Sequence, residues 1–130
     1  DESKKNKDAG MYDHQFVHNF FIDNRINSNA YKFLDPIHKK LNPKYYIRIK
    51  ANLNPYTPKP IKHAPHIDQS YSCKAAIFYI NNNNGYTYFG KEKVKPKENR
   101  IVFFNANTSH QAQTCTDKKS KLLINFNYQQ

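Results

Sequence analysis

From Ile47 to Leu53 the chain alternates apolar and polar side chains without a break, and Lys121 to Tyr128 does so again, with Leu122, Ile124, Phe126 and Tyr128 sharing one parity. A period of two belongs to extended strands whose two faces meet different surroundings, and a helix cannot accommodate it. Between these strands lie three shorter apolar runs, Lys74 to Asn81, Tyr86 to Phe89 and Ile101 to Asn105. The intervening Asn82-Asn83-Asn84-Gly85 contains Asn-Gly, the strongest short hairpin signal, and predicts that the first two runs pair with each other. Prolines at 55, 58, 60 and 65 make Asn54 to Pro65 a loop. Many short strands with turn residues between them predict a mainly β barrel or sandwich rather than a βαβ fold.

The helical signal precedes the strands. Leu34, Ile37, His38 and Leu41 follow helical spacing within Ser28 to Leu41, and Asp35-Pro36 reads as an N-cap followed by proline at the first helical position. One or two short helices are expected there, with His14, His18 and His38 in a helical lead-in serving packing or solvation. Residues 1–10 are polar and charged and are expected to be flexible, leaving residues 11–130 as one domain.

Charge and composition exclude several classes. The 21 Lys+Arg exceed the 10 Asp+Glu by a formal +11, which favours acidic partners, nucleic acid among them, or else a lysine-rich solvated surface. No stretch approaches the ~18 apolar residues of a membrane span, and Asp1 to Asp8 is no signal peptide, so a soluble, cytoplasmic protein is expected. Cys73 and Cys115 lack C-x-x-C spacing and are expected to be reduced structural thiols. The three glycines build no phosphate loop, and no Gly-x-Ser-x-Gly elbow occurs.

The chemistry concentrates in His66-Ile67-Asp68 and His110. On an extended segment residues i and i+2 point to one side, so His66 and Asp68 either bind one ion together or decorate a solvated loop. With His110 they make the two-imidazole, one-carboxylate set that holds non-haem Fe(II) on one face and leaves the other positions open. On the last strand Lys121, Leu123, Asn125 and Asn127 share the second face, which either meets water or lines a ligand cavity. In the cavity case Lys121 is a buried cation that needs an anion.

The ordered set of His66-x-Asp68, Phe78-Tyr79-Ile80-Asn81, Gly85-x-Thr-x-Phe89, Asn99-Arg100-Ile101-Val102-Phe103-Phe104, His110 and a basic residue opening the last strand resembles the 2-oxoglutarate- and Fe(II)-dependent oxygenases. The likeness is to the prolyl-4-hydroxylase-like group and small members of viral or phage type, and it covers roughly Tyr45 to Tyr128. It implies a double-stranded β-helix, a squashed jelly-roll barrel like that of cupins, with the helices packed outside. It also implies His66, Asp68 and His110 as catalytic iron ligands, with Fe(II), 2-oxoglutarate and O2 required and ascorbate a further candidate. Oxidative decarboxylation of 2-oxoglutarate to succinate and CO2 would then be coupled to hydroxylation of a substrate C–H.

Lys121 matches the family position for the distal carboxylate of 2-oxoglutarate, where most members carry Arg; Lys118 and Lys119 are nearby substitutes. Tyr79 matches a tyrosine that helps hold that carboxylate, and Asn52 or Asn54 matches a further cosubstrate contact. His63 is expected at the rim as a substrate contact. A prolyl or other peptidyl substrate is expected, with host cytoplasm as the location if the protein is viral. A nucleic-acid-modifying oxygenase, a non-catalytic metal-binding β-helix and a cupin-like metalloprotein are the alternatives.

Overall fold

The computed structural model describes residues 14–130; the N-terminal segment read as flexible lies outside them. Among the described residues, nine strands form two antiparallel sheets. The larger, in the order β2-β1-β3-β9-β4-β7, contains β1 (Phe16–Ile22), β2 (Arg25–Ile26), β3 (Tyr45–Pro55), β4 (Lys74–Tyr79), β7 (Arg100–Asn105) and β9 (Ser120–Gln129). The smaller is β6 (Glu92–Val94), β5 (Thr87–Phe89) and β8 (Gln111–Ala112). Bridges Lys62↔Gln113 and His66↔His110 lay the proline-rich segment along the outer side of β8. The sheets face each other: Phe104 of β7 stacks against Phe89 of β5 at 5.0 Å, and the Tyr79 hydroxyl of β4 donates to Thr87 Oγ1 of β5 at 2.7 Å.

The alternation of β9 sorts its side chains as a two-sided strand requires. Ile124, Phe126 and Tyr128 are buried on the outer face with Ile49, Tyr46 and Ala76, under Leu34 and Leu41 of the helices. Lys121, Leu123, Asn125 and Asn127 are buried on the inner face, between the sheets. The helices are a 3-10 turn, Asn29–Leu34, running into α1, Asp35–Leu41. Ser28 caps the first by accepting from Ala30 N, and Asp35 is already helical, one residue inside the start rather than its cap.

Three expectations are corrected. The lead-in is a β-hairpin, not helical: His18 sits in β1 and bonds Ser28 Oγ, while Asp23 and Asn24, both at positive φ, make the tight turn. A bulge between Asn19 and Phe21 interrupts the period of two, so Phe16 to Ile22 does not read as a strand. The strand before the proline-rich loop extends to Pro55, beyond the expected limit at Leu53.

The third concerns Asn82 to Gly85. Both edges of β4 are taken, by β7 and β9, so β4 does not pair with β5. The asparagines instead satisfy backbone groups: Asn83 Oδ1 accepts from Gly85 N, Asn84 Oδ1 from Thr116 N and Asn81 Oδ1 from Leu122 N. They carry the chain across from one sheet to the other. The hairpin in this region is β5–β6, turned at Gly90 with φ +61°.

Candidate functional site

His66 and His110 are held opposite one another by two backbone hydrogen bonds of 3.0 Å, one in each direction. Asp68 follows on the same chain and its amide donates to Ala106 O, which anchors the end of the triplet. The result is a convergence of three donor atoms: Nε2 of His66 lies 3.6 Å, and Nε2 of His110 3.4 Å, from one carboxylate oxygen, Asp68 Oδ1. All three can serve one cation. The sequence alternative of a solvated loop does not hold, because the Asp68 and His110 side chains are 2% and 4% exposed while that of His66 is 52% exposed. The cluster thus lies in the barrel wall with one open side.

Its second layer orients the donors. His110 Nδ1 lies 2.9 Å from Thr108 O and donates to it, which fixes the ring with Nε2 toward Asp68 and the cluster. Asp68 Oδ2 accepts from Asn125 Nδ2 at 2.9 Å and Asn127 Nδ2 at 3.1 Å, leaving Oδ1 for the histidines. Asn127 Oδ1 in turn accepts from Gln69 Nε2 and Arg48 Nη2. Burial raises the Asp68 carboxyl's proton affinity, but hydrogen bonds from His110, His66 and the two asparagines outweigh it and hold the group far below the usual carboxylate range. Asp68 is therefore anionic at any working pH.

The other sequence-predicted residues fall on the same inner face. Lys121 is 1% exposed, and its Nζ donates to Gln113 O at 3.1 Å. It forms no ion pair among the described residues, and burial pulls it down to about 8, against a small opposing effect of Cys115. Tyr79 is fully buried with Ile77 and Leu123, packed against Val94, Val102 and Phe104. Asn52 faces inward opposite Leu123, and its Oδ1 is buried with no hydrogen-bond partner among the described residues. Asn54 is buried opposite Lys121. Lys118 and Lys119 are exposed on the loop before β9, and His63 is half-buried on the segment paired with β8. Both cysteines are free and buried.

Sequence reading missed the groups that tune the cluster. Asn125 and Asn127 were placed on the right face of β9, but their tie to Asp68 depends on which loop meets that strand. Gly85 is a second omission: a Cβ there would lie 2.6 Å from Gln113 O and 3.0 Å from Lys121 Cδ. Gly85 is needed for this close approach, not for its backbone angle. Gly85→Ala is expected to lower stability by about 1–3 kcal/mol in denaturant unfolding and to displace the Lys121 stem; an unaltered midpoint would show that the backbone at Gln113 yields freely.

No family model and no curated protein sequence matches the chain. Solved structures do. A 2OG-Fe(II) oxygenase family oxidoreductase from Burkholderia pseudomallei superposes with a TM-score of 0.65 at 9% identity over 88% of this chain and 66% of its own. A Pseudomonas putida prolyl-4-hydroxylase gives 0.61 at 13% over 89% and 69%, and a Trichoplax adhaerens prolyl hydroxylase in complex with a hypoxia inducible factor peptide gives 0.60 at 16% over 88% and 62%. The chain spans about two thirds of the length of each. Structures of this fold come from bacteria, an animal and a virus alike, so the likeness lends no support to the viral type expected from the sequence. No helix among the described residues is long and apolar enough to cross a membrane. At these identities what the chain shares with the prolyl hydroxylases and the 2OG-Fe(II) oxygenase is the double-stranded β-helix fold.

Proposed function

We propose that this protein is a 2-oxoglutarate- and Fe(II)-dependent dioxygenase that hydroxylates a prolyl or other peptidyl residue. The observation that carries the reading is a buried lysine with no ion-pair partner among the described residues, in the same barrel as the convergent His-Asp-His cluster. The donor set fits the metal: two imidazole Nε2 atoms and one carboxylate oxygen converge, with His110 Nδ1 and Asp68 Oδ2 already engaged elsewhere. His66, Asp68 and His110 would hold Fe(II), which when bound supplies the site where 2-oxoglutarate and O2 react.

The chain's own residues do the rest. Lys121 binds the distal carboxylate of 2-oxoglutarate as a point charge in a dry site, where pairing offsets the cost of its burial. Tyr79, held by Thr87, and Asn52, whose buried Oδ1 has no partner among the described residues, orient the cosubstrate. Ile77, Val102, Phe104 and Leu123 exclude water around it. The peptide complex of the Trichoplax prolyl hydroxylase supports a peptide partner.

A pH profile tests the lysine's part. Only charged Lys121 attracts the carboxylate, so affinity for 2-oxoglutarate should fall as pH rises above about 8. In Lys121→Arg, which stays charged over this range, the profile should be flat. A wild-type profile flat to pH 10 would remove Lys121 from the cosubstrate site.

A second reading, nucleic-acid modification, draws on the outer face of the smaller sheet, where Lys62 Nζ stands 3.9 Å over the Tyr88 ring and Lys93 Nζ 4.7 Å over Tyr86. Neutralising Lys91, Lys93, Lys95 and Lys97 should then flatten the salt dependence of oligonucleotide binding. An unchanged slope would leave these lysines as a solvated edge. In a non-catalytic metal-binding β-helix, metal would bind and 2-oxoglutarate would not be consumed.

A further inference from the structure

Strand β3 carries two cations inward that the chemistry above leaves unused. Arg48 and Lys50 lie opposite Asn127 and Asn125 in the β3–β9 register, so they share the inner face with the asparagines that hold Asp68. Arg48 Nη2 donates to Asn127 Oδ1 at 3.3 Å, but its Nε is buried with no hydrogen-bond partner among the described residues. Lys50 forms no ion pair among them. Burial lowers its proton affinity, the Arg48 charge lowers it further, and Asp68 acts in the opposite direction. Two like charges are thus held side by side, near a carboxylate already shared by two imidazoles.

The anion they await is not the one at Lys121. Lys121 lies opposite Asn54, four residues along β3 from Lys50, which is about 13 Å at strand rise. A five-carbon diacid spans only about 6 Å. Beside Arg48 a cleft of about 390 Å³ opens to the surface, lined by Tyr45, Gln69, Asp23 and Asn24 among others. Arg48 lines this cleft, and so does Gln69, the residue that follows Asp68.

We propose that Arg48 and Lys50 grip a carboxylate of the primary substrate, an acidic side chain next to the peptide residue presented to His66, Asp68 and His110. The inference rests on the oxygenase reading for what occupies the cluster itself. A polyanion fits less well, because the pair lies on the inner face of β3 rather than along an open basic track.

The test is calorimetric titration under argon of protein loaded with Fe(II) and 2-oxoglutarate, using acetyl-Glu-Pro-Glu-amide, its Gln-Pro-Gln isostere and a short oligothymidylate. The acidic peptide should bind at least about tenfold more tightly than the isostere. That preference should vanish in Arg48→Gln and in Lys50→Gln. Lys50→Gln removes no hydrogen bond to Asn127, so it separates the grip from support of Asp68. Equal binding of the two peptides, binding of neither, or a preference that survives both substitutions overturns the proposal. Dependence on Arg48 and Lys50 for the oligothymidylate alone would overturn it in favour of phosphate. The charge-transfer band of the loaded protein reports the oxygenase reading separately: with the band present and no acidic preference, only the grip fails, and with no band and the preference kept, only the oxygenase reading fails.

Discussion

Asp68→Ala is expected to abolish 2-oxoglutarate consumption coupled to hydroxylation, with Fe(II) affinity falling by more than about 100-fold. Loss of an outer partner of a metal ligand typically costs about 10–100-fold, and Asp68 is the group on which both imidazoles and both asparagines converge. Asn127→Ala supplies that comparison: its affinity should fall within the smaller range, because Asn125 still holds Oδ2. Metal binding is measured by titration, with thermal melts to show that each variant folds. The Asn127 to Asn125 hydrogen bond of 3.2 Å remains to order the face when Asp68 is gone. Metal binding and turnover unchanged in folded Asp68→Ala would remove the cluster from the chemistry.

Lys121→Met should act in opposite directions on cosubstrate and stability. Losing one partner of a buried charge pair costs about 2–5 kcal/mol, so the 2-oxoglutarate requirement should rise at least about 30-fold while Fe(II) binding is kept. The protein without cosubstrate should become more stable, because an unpaired buried ammonium is replaced by an apolar chain of similar length. The sign with pH follows from the same burial. The folded-state value, about 8, lies below the ordinary 10.5, so between them the unfolded chain binds more protons. Wild-type stability should therefore rise with pH across that window, and the rise should be absent in Lys121→Met. An unaltered 2-oxoglutarate requirement would move the carboxylate contact to Lys118 or Lys119.

What the sequence disclosed divides along a physical line. The faces of β3 and β9 were legible because each strand separates an apolar layer under the helices from a polar barrel interior, and alternation records that directly. The convergence of the three donor residues was legible because His66 and Asp68 share a strand parity and His110 matched a family order. The pairing of strands was not. Asn82 to Gly85 has the local chemistry of a hairpin, and only the occupation of both β4 edges decides that it crosses between sheets. The bulge at Asn19/Phe21 hid β1, and another between Tyr46 and Arg48 turns Ile47 away from its apolar parity to pack with Cys73, Ala75 and Ala106. Arg48 and Lys50 had the pattern of a solvated strand face, because sequence alone does not say which side of a strand is the inside of a barrel.

The most direct test of the oxygenase reading is an anaerobic titration of the protein with Fe(II) and 2-oxoglutarate, followed by the visible metal-to-ligand charge-transfer band. That band forms only when both are bound in chelated geometry. The account predicts that it appears in the wild-type protein, requires both components and is lost in His110→Ala. A folded protein that binds Fe(II) and shows no band at saturating 2-oxoglutarate would contradict it.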